Sequence, residues 1–311
     1  MMDPVKPLAG PPLILGEVLL DQFPNRAVLG GAPFNVAWNL KGLGAEPIFL
    51  SRIGQDAAGE QVWAAMHRQG LSSIALQRDP THPTGAVQVE LDGQGIPSYR
   101  ILANQAYDYI ELDAEQLRTL RPSLLYRGSL AARTEAAHRR IQILIQALNC
   151  PVFLDLNLRD PWWNPGRIRE MIRSCDWLKL NQEELVQVAN LEGIPAENPL
   201  DQAQTLRENL NLNKIFLTLG AAGARLITST HIHRVDPVPV PQMVDTVGAG
   251  DAFSAVVILG LLQGWSEVAL LERAVMFAAA VCGIRGGTPQ DPEFYLPFRR
   301  EWGLGVGAPA E

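Results

Sequence analysis

The chain has 311 residues, 47% of them hydrophobic and 19% charged, with a net charge of −7. That is enough apolar material for one large α/β domain over residues 1–311, and the acidic balance argues against a nucleic-acid partner, whose phosphates require stripes of Lys and Arg. Three widely spaced cysteines without a CxxC pair (Cys150, Cys175 and Cys282) read as reduced thiols of a cytoplasmic protein, and neither a signal pattern nor an apolar run of about 20 residues points to a membrane.

In chain order, "PLILGEVLLDQF" reads as one short strand-like run leading to Asp21. A Gly-rich turn, a helix over 34–42 and the strand "PIFLSRIG" follow. "DAAGEQVWAAMHRQG" is a helix with Gly70 as its C-terminal stop. "TGAVQVELDGQGIPSYRIL" alternates apolar and polar residues around "DGQG", which predicts a hairpin with one covered face. The second half changes rhythm: short apolar strands ("SLLYRGSL", "PVFLDLNL", "WLKLN", "KIFLTLG") alternate with amphipathic helices. This is the pattern of an α/β fold, a mostly parallel sheet with helices on both faces. "ARLITSTHIHRVDPVPV" adds antiparallel edge strands, two helices follow over 249–264 and 266–284, and 303–311 reads as a disordered tail.

The stretch "DTVGAGDAF" (245–253) sits directly before an apolar helix. Gly248 and Gly250 would each cost about 1 kcal/mol inside a helix, so they serve a tight turn or a close approach. Small residues opening a helix leave backbone N–H groups unpaired, and the helix dipole turns them into an anion site. Asp251 complements the dipole in the bland reading; beside a bound phosphoryl group it reads instead as a base that takes a hydroxyl proton. There is no GxxxxGK[ST] and no GxSxG. His231 and His233 lack a third ligand nearby and do not make a zinc site, and Trp162 and Trp163 read as packing residues.

Five segments, in order, resemble the ribokinase-like (PfkB) carbohydrate kinases: "GGAPFNVA", "GLG…SRIGQDAAG", "NQEE", "LTLGAAGA" and "DTVGAGDAF". The resemblance runs from about 13 to 290 and implies a ribokinase-like fold with a small β-sheet lid, here 15–30 and 84–103. It implies ATP, Mg²⁺ and in some members a monovalent cation such as K⁺. Asp251 is then the catalytic base, and the N–H groups of Gly248, Ala249 and Gly250 form an anion hole. Asn181 and Glu184 organise the Mg²⁺ and phosphates, Asp245 helps hold a cation, and Thr218, Gly220, Gly223 and Thr246 lie along the nucleotide. Asp21, Gly31 and Asn35 match the sugar-hydroxyl positions, and Arg159 of "DLNLRDPWW", which resembles the DxNxR…W stretch of fructokinase-type members, is placed on the substrate side to reach a phosphate or an acid group of the substrate. Taken without the resemblance, Asn181 and Asn35 are helix caps, Gly30–Gly31 is a turn and Arg159 belongs to a surface ion pair.

"GE…LLD" with "GGAPFNVA" resembles the fructokinases most, which implies fructose as the sugar; 2-keto-3-deoxygluconate, ribose or a nucleoside are the alternatives, and a catalytically silent sugar or nucleotide sensor is a third class. Phe34 and Trp38 are bulky departures from that pattern and read as side chains that reshape the sugar pocket. The lid also implies a homodimer contact.

Overall fold

The computed structural model describes residues 7–91, 97–195, 198–240 and 242–305. Its strands are β1 (Pro12–Leu15), β2 (Leu19–Phe23), β3 (Arg26–Gly30), β4 (Ile48–Gly54), β5 (Leu76–Asp79), β6 (Gly85–Leu91), β7 (Pro97–Ile101), β8 (Leu124–Arg127), β9 (Val152–Asp155), β10 (Trp177–Asn181), β11 (Lys214–Thr218), β12 (Ala224–Ile227) and β13 (Ile232–Val235). The helices are α1 (Ala32–Gly42), α2 (Ala57–Gln69), α3 (Ala114–Thr119), α4 (Glu135–Leu148), α5 (Pro165–Arg173), α6 (Gln182–Leu191), α7 (Pro199–Asn209), α8 (Ala249–Gln263), α9 (Glu267–Val281) and α10 (Leu296–Glu301).

Nine strands form one sheet in the order β13-β12-β11-β10-β9-β8-β1-β4-β5. From β11 to β5 every pairing is parallel, and β12 and β13 close one edge antiparallel, as expected from "ARLITSTHIHRVDPVPV". Strand residues alternate between two apolar layers, which is what a sheet covered on both faces requires. Ile14, Phe49, Tyr126, Phe153 and Phe216 point into the layer of α1, α2, α8 and α9, whereas Leu13, Leu15, Leu154, Leu178 and Ile215 point into the layer of α3 to α7. Helix α8 is apolar all round and buried from Ala252 to Leu261, so its polar first turn is fixed at the carboxyl edge of the sheet.

"PLILGEVLLDQF" is two strands, not one. Strand β1 belongs to the large sheet and β2 to a second, four-stranded sheet in the order β3-β2-β6-β7. The break falls at Gly16, where a Cβ would stand 2.3 Å from Pro33 Cγ of α1, so the chain must turn against that helix. The hairpin of β6 and β7 forms with Val87 opposite Ile101, while its "DGQG" turn lies outside the described residues. Strand β5 and helix α7 were not legible as elements in the sequence pattern; α7 opens on an Asn198 cap followed by Pro199. Of the tail, residues 306–311 lie outside the described residues, and Leu304 packs against the core.

Phe34 and Trp38 do not face a pocket. Both are buried core residues, their rings tilted 47° to each other with centroids 5.6 Å apart, and Trp38 Nε1 donates to the Pro289 carbonyl at 2.9 Å. Their bulk fills the space between α1 and β4, where Phe34 meets Phe49 at 5.6 Å.

Candidate active site

Asp251 lies in the first turn of α8. Gly248 caps the helix in the left-handed conformation (φ 79°, ψ −2°), and a Cβ there would stand 2.2 Å from Gly287 Cα. Two loops therefore touch backbone to backbone at this point. The Ala249 N–H closes a turn onto the Thr246 carbonyl at 3.3 Å, so of the three amides expected in the anion hole it is partly engaged. The amides of Gly248 and Gly250 make no hydrogen bond among the described residues. Asp245 spans the same two loops: Oδ1 accepts from Val247 N at 3.0 Å and Oδ2 from Gly286 N at 3.1 Å.

Asn35 stands within α1 and does not cap it. Its Nδ2 donates to Asp251 Oδ2 at 2.7 Å, and its own Oδ1 is buried with no partner among the described residues. Gly31, the residue preceding α1, has φ 110°, and a Cβ would stand 2.7 Å from the Glu17 carbonyl oxygen, so the approach that requires glycine there is made by the chain itself. Asp21 of β2 pairs with Val28 of β3, and its Oδ2 stands 3.6 Å from where a Cβ on Gly30 would be.

Burial pushes the Asp251 carboxyl up to about 6, aided by the charge of Asp155; the Asn35 hydrogen bond, Lys179 and Arg159 pull it back. Burial also raises Asp21 to about 6, against the pull of Arg159. Arg159 thus acts on both carboxylates of the cleft, and among the described residues it forms no ion pair. The surface-bridge reading of Arg159 finds no partner here.

Asn181 and Glu184 form a reciprocal capping box at α6. Asn181 Oδ1 accepts from Glu184 N at 2.8 Å, and Glu184 Oε2 accepts from Asn181 N at 2.9 Å. Glu184 Oε1 also accepts from Leu158 N at 2.8 Å, which ties the segment carrying Arg159 to this helix start. Thr218 ends β11 with its hydroxyl toward the Leu180 carbonyl at 3.4 Å. Gly220 (φ 55°) opens the turn that follows into free space, while a Cβ on Gly223 would stand 2.1 Å from the Val235 carbonyl oxygen.

A match of residues 14–293 to the model of the pfkB family carbohydrate kinases decides the classification. The chain belongs to that family. It is a sugar kinase, a phosphotransferase with an alcohol group as acceptor. It is 27% identical over 307 residues to the fructokinase of Escherichia coli, covering 93% of this chain and 96% of that one. Its fold superposes on the fructokinase of Xylella fastidiosa crystallised with ATP at a TM-score of 0.79, with 21% identity, 94% of this chain and 98% of that one. The 2-dehydro-3-deoxygluconokinase of Thermotoga maritima has the same TM-score of 0.79 at 18% identity, covering 94% of this chain and all of that one (100%). Among the described residues no helix is long and apolar enough to cross a membrane.

A charged network that the sequence pattern did not reveal is buried under the first turn of α8. Lys179 Nζ lies 2.9 Å from Asp155 Oδ1. Asp155 Oδ2 also accepts from Ser254 Oγ at 2.8 Å and from Tyr126 OH at 3.3 Å. Lys179 Nζ would stand 3.0 Å from a Cβ on Gly250, directly beneath the first turn of α8. Burial disfavours the ammonium, but Asp155 and Glu184 hold it charged above the usual lysine value. The signal was present: a lysine in the middle of the apolar strand "WLKLN" must be paired.

Proposed function

We propose that this sugar kinase transfers the γ-phosphoryl group of ATP to a hydroxyl of a neutral sugar, with fructose as the first candidate and Asp251 as the base. The observation that carries this reading is the Asn35–Asp251 hydrogen bond at the open amides of α8. Asn35 occupies Oδ2 of Asp251, which leaves Oδ1 to receive the hydroxyl proton. The sugar oxygen then forms its bond to the γ-phosphorus, the bond from that phosphorus to the β–γ bridging oxygen breaks, and ADP leaves. The amides of Gly248 and Gly250, with the Lys179 ammonium beneath them, supply donors and positive potential where charge develops.

Asp21 and the unpaired Oδ1 of Asn35 suit sugar hydroxyls, since both oxygens accept hydrogen bonds. Arg159 forms no ion pair among the described residues, and its charge acts on Asp21, Asp251 and Glu17. That excess of carboxyl groups favours a neutral sugar over an acid such as 2-keto-3-deoxygluconate. The small sheet would act as the lid and exclude water, with a homodimer formed through it. Thr218, Gly220, Gly223 and Thr246 would line the nucleotide.

No cluster of three or more His, Cys, Asp or Glu that could form a metal cage occurs among the described residues. Asn181 and Glu184, an amide and a carboxylate side by side at the start of α6, suit Mg²⁺ carried on nucleotide phosphates, because this ion keeps several waters and needs few protein ligands. Glu184 would hold one of those waters, and Asp245 a neighbouring monovalent cation. Bound there, Mg²⁺ would neutralise charge on the transferring phosphoryl group.

The test is ADP release with Mg-ATP against fructose, ribose, 2-keto-3-deoxygluconate, glucose and adenosine. Fructose is expected to give the highest kcat/KM. Turnover with the acid sugar alone would overturn the neutral-sugar reading, and nucleotide binding without turnover of any acceptor would favour a silent sensor.

A further inference from the structure

Three buried side chains beside the cleft each keep one polar atom with no partner among the described residues: Glu17 Oε2, Tyr107 OH and Arg133 Nη1. The residues are 3%, 1% and 6% exposed. They are neighbours. The Arg133 guanidinium lies over the Tyr107 ring, 4.9 Å from its centroid. A Cβ on Gly85 would stand 2.4 Å from the Val18 carbonyl oxygen and 2.9 Å from Tyr107 Cδ1, so the ring packs on the backbone just beyond Glu17.

The group is held rigidly. Asp108 takes Arg133 Nε at 2.7 Å and Nη2 at 2.6 Å, the Leu102 carbonyl takes Nη2 at 2.7 Å, and Trp162 stacks on the guanidinium at 4.2 Å. Only Nη1 is left over. The group also borders the reacting centre. The Glu17 backbone packs against Gly31 at the start of α1, whose Asn35 holds Asp251, and the charges of Asp251, Arg159 and Arg133 all act on the Glu17 carboxyl.

Buried polar atoms are almost always paired, and three open ones in one rigid place mark groups that a ligand or ordered water completes. We propose that Glu17, Tyr107 and Arg133 form a second polar subsite of the sugar pocket, holding hydroxyls of the bound sugar other than the phosphoryl acceptor. The proposal rests on the neutral-sugar kinase reading. A hydroxyl can donate to Glu17 and accept from Tyr107 or Arg133; a carboxylate could not donate and would face Glu17, while Arg133 is already matched by Asp108.

The experiment uses calorimetry on the full chain with the best neutral sugar and its series of monodeoxy analogues, for wild type, Tyr107→Phe and Glu17→Gln. In wild type, one analogue other than that lacking the acceptor hydroxyl is expected to bind roughly 10- to 100-fold more weakly. Tyr107→Phe or Glu17→Gln should weaken the parent sugar by a similar factor and no longer distinguish that analogue. Nucleotide affinity and the unfolding midpoint of Tyr107→Phe should stay at wild-type values. Wild-type binding of every sugar by both variants, or an equal loss across the whole series, overturns the subsite and leaves water as its occupant. A wild type that turns over no neutral sugar overturns the kinase reading itself, and the subsite with it.

Discussion

Asn35 Nδ2 donates to Asp251 Oδ2 at 2.7 Å, joining residues 216 positions apart. The bond connects the helix that follows the small sheet to the helix that carries the proposed base, so the two halves of the cleft share one carboxylate. Asn35→Ala removes a bond that favours the ionised form, so the acid limb of the pH–rate profile should move to higher pH. The rate at pH 6 should fall by roughly 3- to 10-fold more than the rate at pH 8. Equal losses at both pH values would disprove the coupling.

Asp251→Asn keeps the shape and removes the proposed base. On the proposed mechanism kcat falls by about 10²- to 10⁴-fold while sugar affinity holds within a few-fold. Stopped-time product assays and calorimetry measure the two quantities separately. Activity that survives the substitution sinks the role of Asp251.

Wild-type kcat/KM should rise from pH 5 and level off above pH 7, because the proposed base Asp251 acts ionised and burial pushes its carboxyl up to about 6. Stability runs the other way for Glu17. Burial raises its carboxyl from 4.5 to about 7, so the folded state binds the proton more tightly than the unfolded chain. Its favourable contribution is full below pH 4.5 and is lost as pH rises through about 7. Glu17→Gln should therefore gain roughly 1–3 kcal/mol relative to wild type on going from pH 4 to pH 8, read from urea unfolding.

Lys179→Met leaves Asp155 buried without its cation, 2.9 Å from where the ammonium stood. The expected loss is about 3–5 kcal/mol of unfolding free energy. Pairing it with Asp155→Asn should recover part of that loss, since the orphaned charge is then gone. Additive losses in the double variant would show that the pair is not coupled.

Gly248→Ala forces a side chain onto a left-handed backbone and toward Gly287, 2.2 Å away. A loss of about 1–3 kcal/mol and a fall in kcat larger than the rise in sugar Kd are expected, because the loop that presents the amides must shift. Unchanged turnover would mean that the amides of this loop do not meet the phosphoryl group.

Much of this protein was settled by local pattern. Period-two strands, period-3.6 helices, Gly70 as a helix stop and the small-residue preface to α8 are set by backbone sterics and amphipathicity, which neighbours in the chain express. Asp251 stood out as an acid in the small-residue preface to α8, whereas Asn35 and Asp21 were picked out by the resemblance alone, because a cap or a strand residue explains each of them locally. What only the tertiary structure decided is pairing across distance. Whether Asn35 capped a helix or reached Asp251 depended on where α8 docked. Phe34 and Trp38 turned inward because α1 packs that face on β4. Glu17, Tyr107, Arg133, Asp155 and Lys179 gained their meaning from burial, because a charge or hydroxyl removed from water must find a partner, and those partners come from other strands and helices.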